Sequence, residues 1–128
     1  MRVAAFALLV AVDAASASSL PSFDADIAPV LRMRCASCHM TGTEAGNIAL
    51  GPDDAYENLV GVASPTTGLV RVTPGKPEAS YLLMKLDGTG LDAAGKGTGM
   101  RMPLGATPLP EESIRMIRDW IAAGAPRN

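Results

Sequence analysis

An all-α domain of about four helices joined by long loops is the architecture this sequence predicts. Three observations carry the prediction. Apolar residues recur at helical spacing in "SFDADIAPVLRMRCASCH" near one end and in "PEESIRMIRDWIAAGAP" at the other. The stretches between them are broken by Gly and Pro, above all "GTGLDAAGKGTGMRMPLGATPLP", which has no period. The chain is 128 residues long, 48% hydrophobic and 19% charged, which suits one folded domain. Aromatic residues make up only 4%, so the core lacks ring area; a bound apolar group could fill that space, and Ala, Leu, Ile and Val could equally pack a small helical core by themselves.

Residues 1–17 read as an export signal. Arg2 precedes the apolar run "VAAFALLVAV", and Ala15-Ser16-Ala17 forms a small-residue cleavage site before Ser18. The competing reading is a buried N-terminal helix. Removal of 1–17 leaves a domain over 18–128 that is expected to be periplasmic or otherwise exported. No later segment reaches the roughly 20 apolar residues of a membrane span, so no stable span is expected after the signal is removed. The net charge of −2 argues against a nucleic-acid partner, which requires a clustered basic face.

The first helix is expected to start near Asp26, with Asp24 or Asp26 as its cap, and to run into the motif that follows. Phe23, Ile27, Val30, Leu31 and Arg34 mark its period. Pro29 fits only in its first turn, where the amide hydrogens lack helical partners. "MTGTEAGNIALG" is a loop. "PDDAYENLVG" is a short helix capped by Asp53 or Asp54, with Tyr56, Leu59 and Val60 inward and Gly61 as its stop. "TPGKPEASYLLMKLDG" is a turn and then a helix opened by Pro77 and ended by Gly88. In the last helix Pro110 opens, Glu111 and Glu112 suit the positive end, and Ile114, Ile117, Trp120 and Ile121 form one stripe. Gly124 ends it.

Cys35, Cys38 and His39 are the only cysteines and the only histidine, and all lie within "CASCH". Positions i, i+3 and i+4 of a helical turn share one face. Covalent attachment of one haem c needs that face: two thioethers to the porphyrin edge and an imidazole to the iron. C-x-x-C-H is the sequence signal for it. A structural zinc site would require a fourth ligand and a second cluster. A redox dithiol is expected beside a βαβ pattern, and a Cys35–Cys38 disulfide closes too small a loop to constrain much. Export agrees with haem, because c-type maturation takes place outside the cytoplasm.

With His39 on one side of the iron, the other side calls for a Met thioether. Met1 leaves with the signal, Met33 and Met40 flank the motif on the wrong side of the ring, and Met84 and Met116 lie in helical stretches. Met102 and Met100 remain, in "GTGMRMPLG". Met102 is placed ahead of Met100 because Pro103 restricts its backbone, while the glycines permit close approach to the haem face. A methionine that only covered the pocket would leave the iron five-coordinate.

Taken in order, "FDADIAPVLRMRCASCH", "PGKPEASYLLMKL", the Met-Pro loop and "WIAAGAP" resemble the small single-haem c-type cytochromes of the bacterial cytochrome c domain family. The resemblance implies a cytochrome c-like fold around one covalent haem, with the terminal helices crossing. It implies that Cys35 and Cys38 hold the haem and that His39 and Met102 are axial, with Trp120 in the helix interface or the haem wall. It also implies that the His39 side nitrogen donates to a backbone carbonyl, for which the loop Asn47 to Pro52 is the candidate. Only Lys76, Lys85 and Lys96 are present, so no lysine docking ring is visible. The function implied is that of an exported one-electron carrier, not an enzyme, serving redox partner proteins. The alternative is a five-coordinate c-type haem protein that binds a small gas or acts on peroxide; a dithiol oxidoreductase is a third reading.

Overall fold

The computed structural model describes residues 19–89 and 100–128. The export segment expected over 1–17 lies outside the described residues. The fold is all-α: α1 (Ala28–Arg34), α2 (Ala55–Leu59), α3 (Tyr81–Asp87) and α4 (Glu111–Ala122). A π-helical turn, Phe23–Ile27, leads into α1, and a 3₁₀ turn, Pro77–Ala79, precedes α3. Among the described residues no helix is long and apolar enough to cross a membrane.

The cap of the first helical segment is Ser22, neither Asp24 nor Asp26. Its hydroxyl accepts from the Ala25 amide at 3.2 Å, while the Asp26 carboxylate accepts from the Ser22 amide at 2.8 Å. This reciprocal pairing serves the purpose of a capping box. Helical chain therefore begins at Phe23, earlier than expected. The Ile27 amide reaches back five residues to the Ser22 carbonyl at 3.2 Å, the wide π spacing. Widening just before Pro29 moves the backbone away from the pyrrolidine ring, which would otherwise press on the carbonyl four residues back. Two further helix-start amides are met from far along the chain. Phe23 N–H donates to Asn128 Oδ1 at 2.8 Å and Asp24 N–H to the Asn128 carbonyl at 2.9 Å.

Two other helices differ from expectation, each for a local reason. α2 stops at Leu59, because Val60 turns extended and pairs with Val72 in an isolated bridge, and Ala63 pairs with Val70 in another. The helix expected from Pro77 is interrupted at Ser80. That buried hydroxyl accepts from Thr73 N–H at 2.9 Å and donates to the Lys76 carbonyl at 2.9 Å, so the residue stays extended. α4 follows its pattern closely. Its end is a Schellman motif in which Gly124 N–H meets the Ile121 carbonyl at 2.9 Å and Ala125 N–H the Trp120 carbonyl at 3.0 Å. Gly124 takes φ +99°, a left-handed conformation that glycine adopts freely.

α4 lies against the π turn, the 3₁₀ turn and α3. Ile114, Ile117, Trp120 and Ile121 are buried there with Phe23, Ile27, Leu31, Leu59 and Leu83. Trp120 is completely enclosed. Its ring lies 5.4 Å from Phe23, which stands edge-on to Tyr56 at 5.0 Å and 82°. Its indole N–H donates to the Pro126 carbonyl at 2.9 Å, and Tyr56 donates to the Ala125 carbonyl at 2.8 Å. Most of the chain's few rings are thus spent at this one crossing.

Trp120→Ala should therefore cost about 3–5 kcal/mol, the range for truncating a buried tryptophan. Urea denaturation measures it; a loss under about 1 kcal/mol would show that the crossing is not the centre of the core.

Candidate haem site

The motif sits on the turn that continues α1 past its end at Arg34. The Leu31 carbonyl accepts from Cys35 N–H at 2.9 Å and from Ala36 N–H at 3.0 Å. The Cys35 carbonyl then accepts from Cys38 N–H and His39 N–H, each at 3.1 Å. Backbone hydrogen bonds thus gather Cys35, Cys38 and His39 on one turn. Ala36 is buried beneath it, Cys35 and His39 are half-buried and Cys38 is exposed. Both cysteines are free thiols. Burial pushes the Cys35 thiol up to about 11, against a smaller downward pull from the Arg34 guanidinium. Among the described residues no three His, Cys, Asp or Glu side chains form a group able to hold a metal ion.

The Met102 loop is carried by α3. A helix leaves its last carbonyls without partners in the helix, and here the loop supplies donors to two of them. Met102 N–H donates to the Lys85 carbonyl at 2.9 Å, and Arg101 Nε to the Leu86 carbonyl at 2.8 Å. Lys85 Nζ returns a bond to the Met100 carbonyl at 2.9 Å. Gly88 permits this approach: a β-carbon there would stand 3.2 Å from Arg101 Cβ. Met102 is half-buried, whereas Met100 is 68% exposed. The stretch after Met102 is tied to the motif helix, since Arg34 donates to the Thr107 carbonyl at 2.5 Å. Trp120 belongs to the helix crossing, with its polar atom spent on Pro126.

Exposed apolar residues follow the same two segments. Of the five large hydrophobic side chains that face solvent among the described residues, Met33 and Met40 flank the motif and Met100 and Leu104 flank Met102. Elsewhere only Leu20 does so. Each of the two segments thus carries two large apolar side chains that the described residues leave exposed. The donor set and its apolar surroundings fit a flat, largely apolar group held by two thioethers and an imidazole.

The expected acceptor for the His39 side nitrogen is not found. Nδ1 is buried with no hydrogen-bond partner. The loop from Asn47 to Pro52 does touch His39, but through the main chain: Leu50 N–H donates to the His39 carbonyl at 2.7 Å. The carbonyls of Gly46 and Asn47, at the start of that loop, are occupied by the Arg71 guanidinium, at 3.3 and 2.8 Å. Arg71 was not singled out by the sequence; its place between Val70 and Val72 in "GLVRVTPG" is the signal that could have marked it.

Glu44 ties the segment after the motif. Its carboxylate accepts from Thr41 N–H at 3.2 Å, Thr41 Oγ1 at 3.0 Å and Gly42 N–H at 2.9 Å. Its own backbone amide, with those of Thr41 and Gly42, pulls its pKa down to about 2. A carboxyl lowered by folding favours the folded turn above its unfolded pKa of about 4.5, and that contribution is lost as pH falls toward 2. Amide shifts of Thr41 and Gly42 should hold steady down to pH ~4 and move with a midpoint near 2. A midpoint near 4.5 would show that these bonds are not made. In chain produced without haem attachment, Cys38 should react with iodoacetamide ~10-fold or more faster than Cys35 at pH 8, being exposed where Cys35 is half-buried with its thiol pushed up to about 11. Equal rates would mean that Cys35 is open before attachment.

Neither a family model nor a curated protein matches the chain. Among solved structures it is similar to hydrazine synthase of Kuenenia stuttgartiensis, with a TM-score of 0.56 and 23% identity. The match covers 82% of this chain and 16% of that one, so the chain spans about a sixth of the structure it matches. What the two share is a fold.

Proposed function

We propose that the protein is an exported one-electron carrier with a cytochrome c-like fold and one covalently attached haem c. The observation that carries this reading is the turn on which Cys35, Cys38 and His39 stand together, bordered by exposed methionines. When bound, the haem supplies an iron centre that cycles between two oxidation states. Cys35 and Cys38 would hold its edge through thioethers, and His39 would be one axial ligand. Met102, on a loop clamped to the end of α3, would be the other, with Met100 as fallback. A thioether there favours the reduced state relative to a second histidine.

The residues around the site serve to bind and enclose. His39 is the only histidine, so its use as a ligand leaves none to act as a general base. Cys38 stands at the exposed end of the turn, which would place the attachment edge where a redox partner protein can approach. Export follows from the segment 1–17 and from the compartment in which thioethers to haem are made.

An absorption spectrum of the chain matured in a c-type-competent host tests the reading. Acid extraction should leave the haem with the protein, and low-spin bands with a Met-to-iron charge-transfer band should appear on oxidation. Met102→Ala should abolish that band, admit carbon monoxide and lower the potential by on the order of 0.1 V, part of the ~0.8 V that axial ligation spans. High-spin bands in the unmodified chain that shift with carbon monoxide would instead assign it to gas binding or peroxide chemistry. A colourless protein with two free thiols would return it to the dithiols.

A further inference from the structure

Arg71 is a buried cation whose guanidinium pairs with no carboxylate among the described residues. It is 6% exposed, and neither ion pair found among the described residues includes it. A charge in such a place requires full hydrogen bonding. The guanidinium donates to three backbone carbonyls: Asn58 at 2.9 Å, Gly46 at 3.3 Å and Asn47 at 2.8 Å. One nitrogen serves both Gly46 and Asn47. That is possible because the two residues adopt left-handed conformations in succession, φ +89° and +48°. The fork of an arginine can span these acceptors; a lysine ammonium, a point donor on a flexible stem, does not match them.

Its main chain is fixed as firmly. Arg71 N–H donates to the Val62 carbonyl at 2.8 Å, and the Arg71 carbonyl accepts from Leu82 N–H at 2.9 Å. Leu82 lies in the first turn of α3, where amides have no helical acceptor of their own. The last turn of that same short helix holds Met102 N–H on the Lys85 carbonyl. On the other side, Gly46 lies against the imidazole: a β-carbon on it would stand 3.9 Å from His39 Cε1. Four residues later Leu50 binds the His39 carbonyl at 2.7 Å.

From these contacts we infer that Arg71 is a positioning residue: its guanidinium sets the Gly46–Leu50 loop beside His39, and by anchoring residue 71 it also holds the main-chain carbonyl on which the first turn of the Met102-carrying helix rests. The role of those two side chains as ligands rests on the function proposed above; the mechanical link does not.

The test uses the full chain as purified from a host that attaches c-type haem. Arg71→Lys and Arg71→Met are compared with wild type and with Val72→Ala, which opens the core next door without touching these carbonyls. The Leu50 amide should exchange ~10-fold faster or more in both Arg71 variants relative to Ile117 in α4, and Val72→Ala should keep the wild-type ratio. The Met-to-iron charge-transfer band should weaken in the Arg71 variants and not in Val72→Ala. A folded Arg71→Lys with wild-type Leu50 exchange and an unchanged band overturns the inference. Should neither Arg71 variant fold, Gly46→Ala, which keeps Arg71 and strains the loop at φ +89°, must speed Leu50 exchange in the same way; unchanged exchange there overturns it too. A wild-type chain that takes up no haem defeats the proposed function alone, because Leu50 exchange on the purified chain still decides the role of Arg71.

Discussion

The contact on which the rest of the fold depends is the crossing of α4 over the π turn at the start of the first helical segment, with Trp120 enclosed between them. Among the described residues no α-helix before α4 exceeds seven residues, α1 being lengthened only by the π turn ahead of it, and helices that short are marginal in water without packing. Among the described residues α4 is the longest helix, and it offers its apolar stripe to the π turn, the 3₁₀ turn and α3 together. Phe23, Tyr56 and Trp120 then fill the crossing with the ring area the composition allows.

Concentrating the rings there has an effect at the other end of α1. The motif turn is floored by Ala36, with methionines and Leu104 beside the two candidate segments, and these side chains stay exposed. Rings are buried where the terminal helices cross, whereas beside the cysteines Met33 and Met40 face solvent. Two polar ties hold the candidate segments: Arg34 donates to the Thr107 carbonyl, and Met102 N–H to the Lys85 carbonyl at the end of α3.

Much of this was legible in the sequence, and what was not has common physical causes. α4 carried the strongest period and its end glycine, and it formed as read. The motif was legible because it needs only local spacing. The start of the first helix was misread because Ser22, Asp24 and Asp26 are all competent caps, and the choice fell to Asn128, more than a hundred residues away. The break at Ser80 was hidden because its hydroxyl bonds backward to Thr73 and Lys76, which leaves no trace in helical spacing. Arg71 went unmarked because backbone carbonyls as long-range acceptors have no residue-type signature, and the carbonyl expected for His39 Nδ1 could not be checked from sequence for the same reason: the Asn47 carbonyl accepts from Arg71 instead.

The bond from Asn128 to Phe23 and Asp24 also orders events in time. Synthesis runs from the N-terminus, so Cys35 and Cys38 emerge well before the acceptors that finish their helix exist. In that interval the segment is a short helix lacking part of its cap, cheap to bend, and its thiols are presented on pliable chain. Closing a contact across about a hundred residues is slow compared with forming a local turn. The local turn that carries Cys35 and Cys38 can thus form first, and the contacts of Asn128 and Trp120 with Phe23 hold the segment leading into it once the two ends meet.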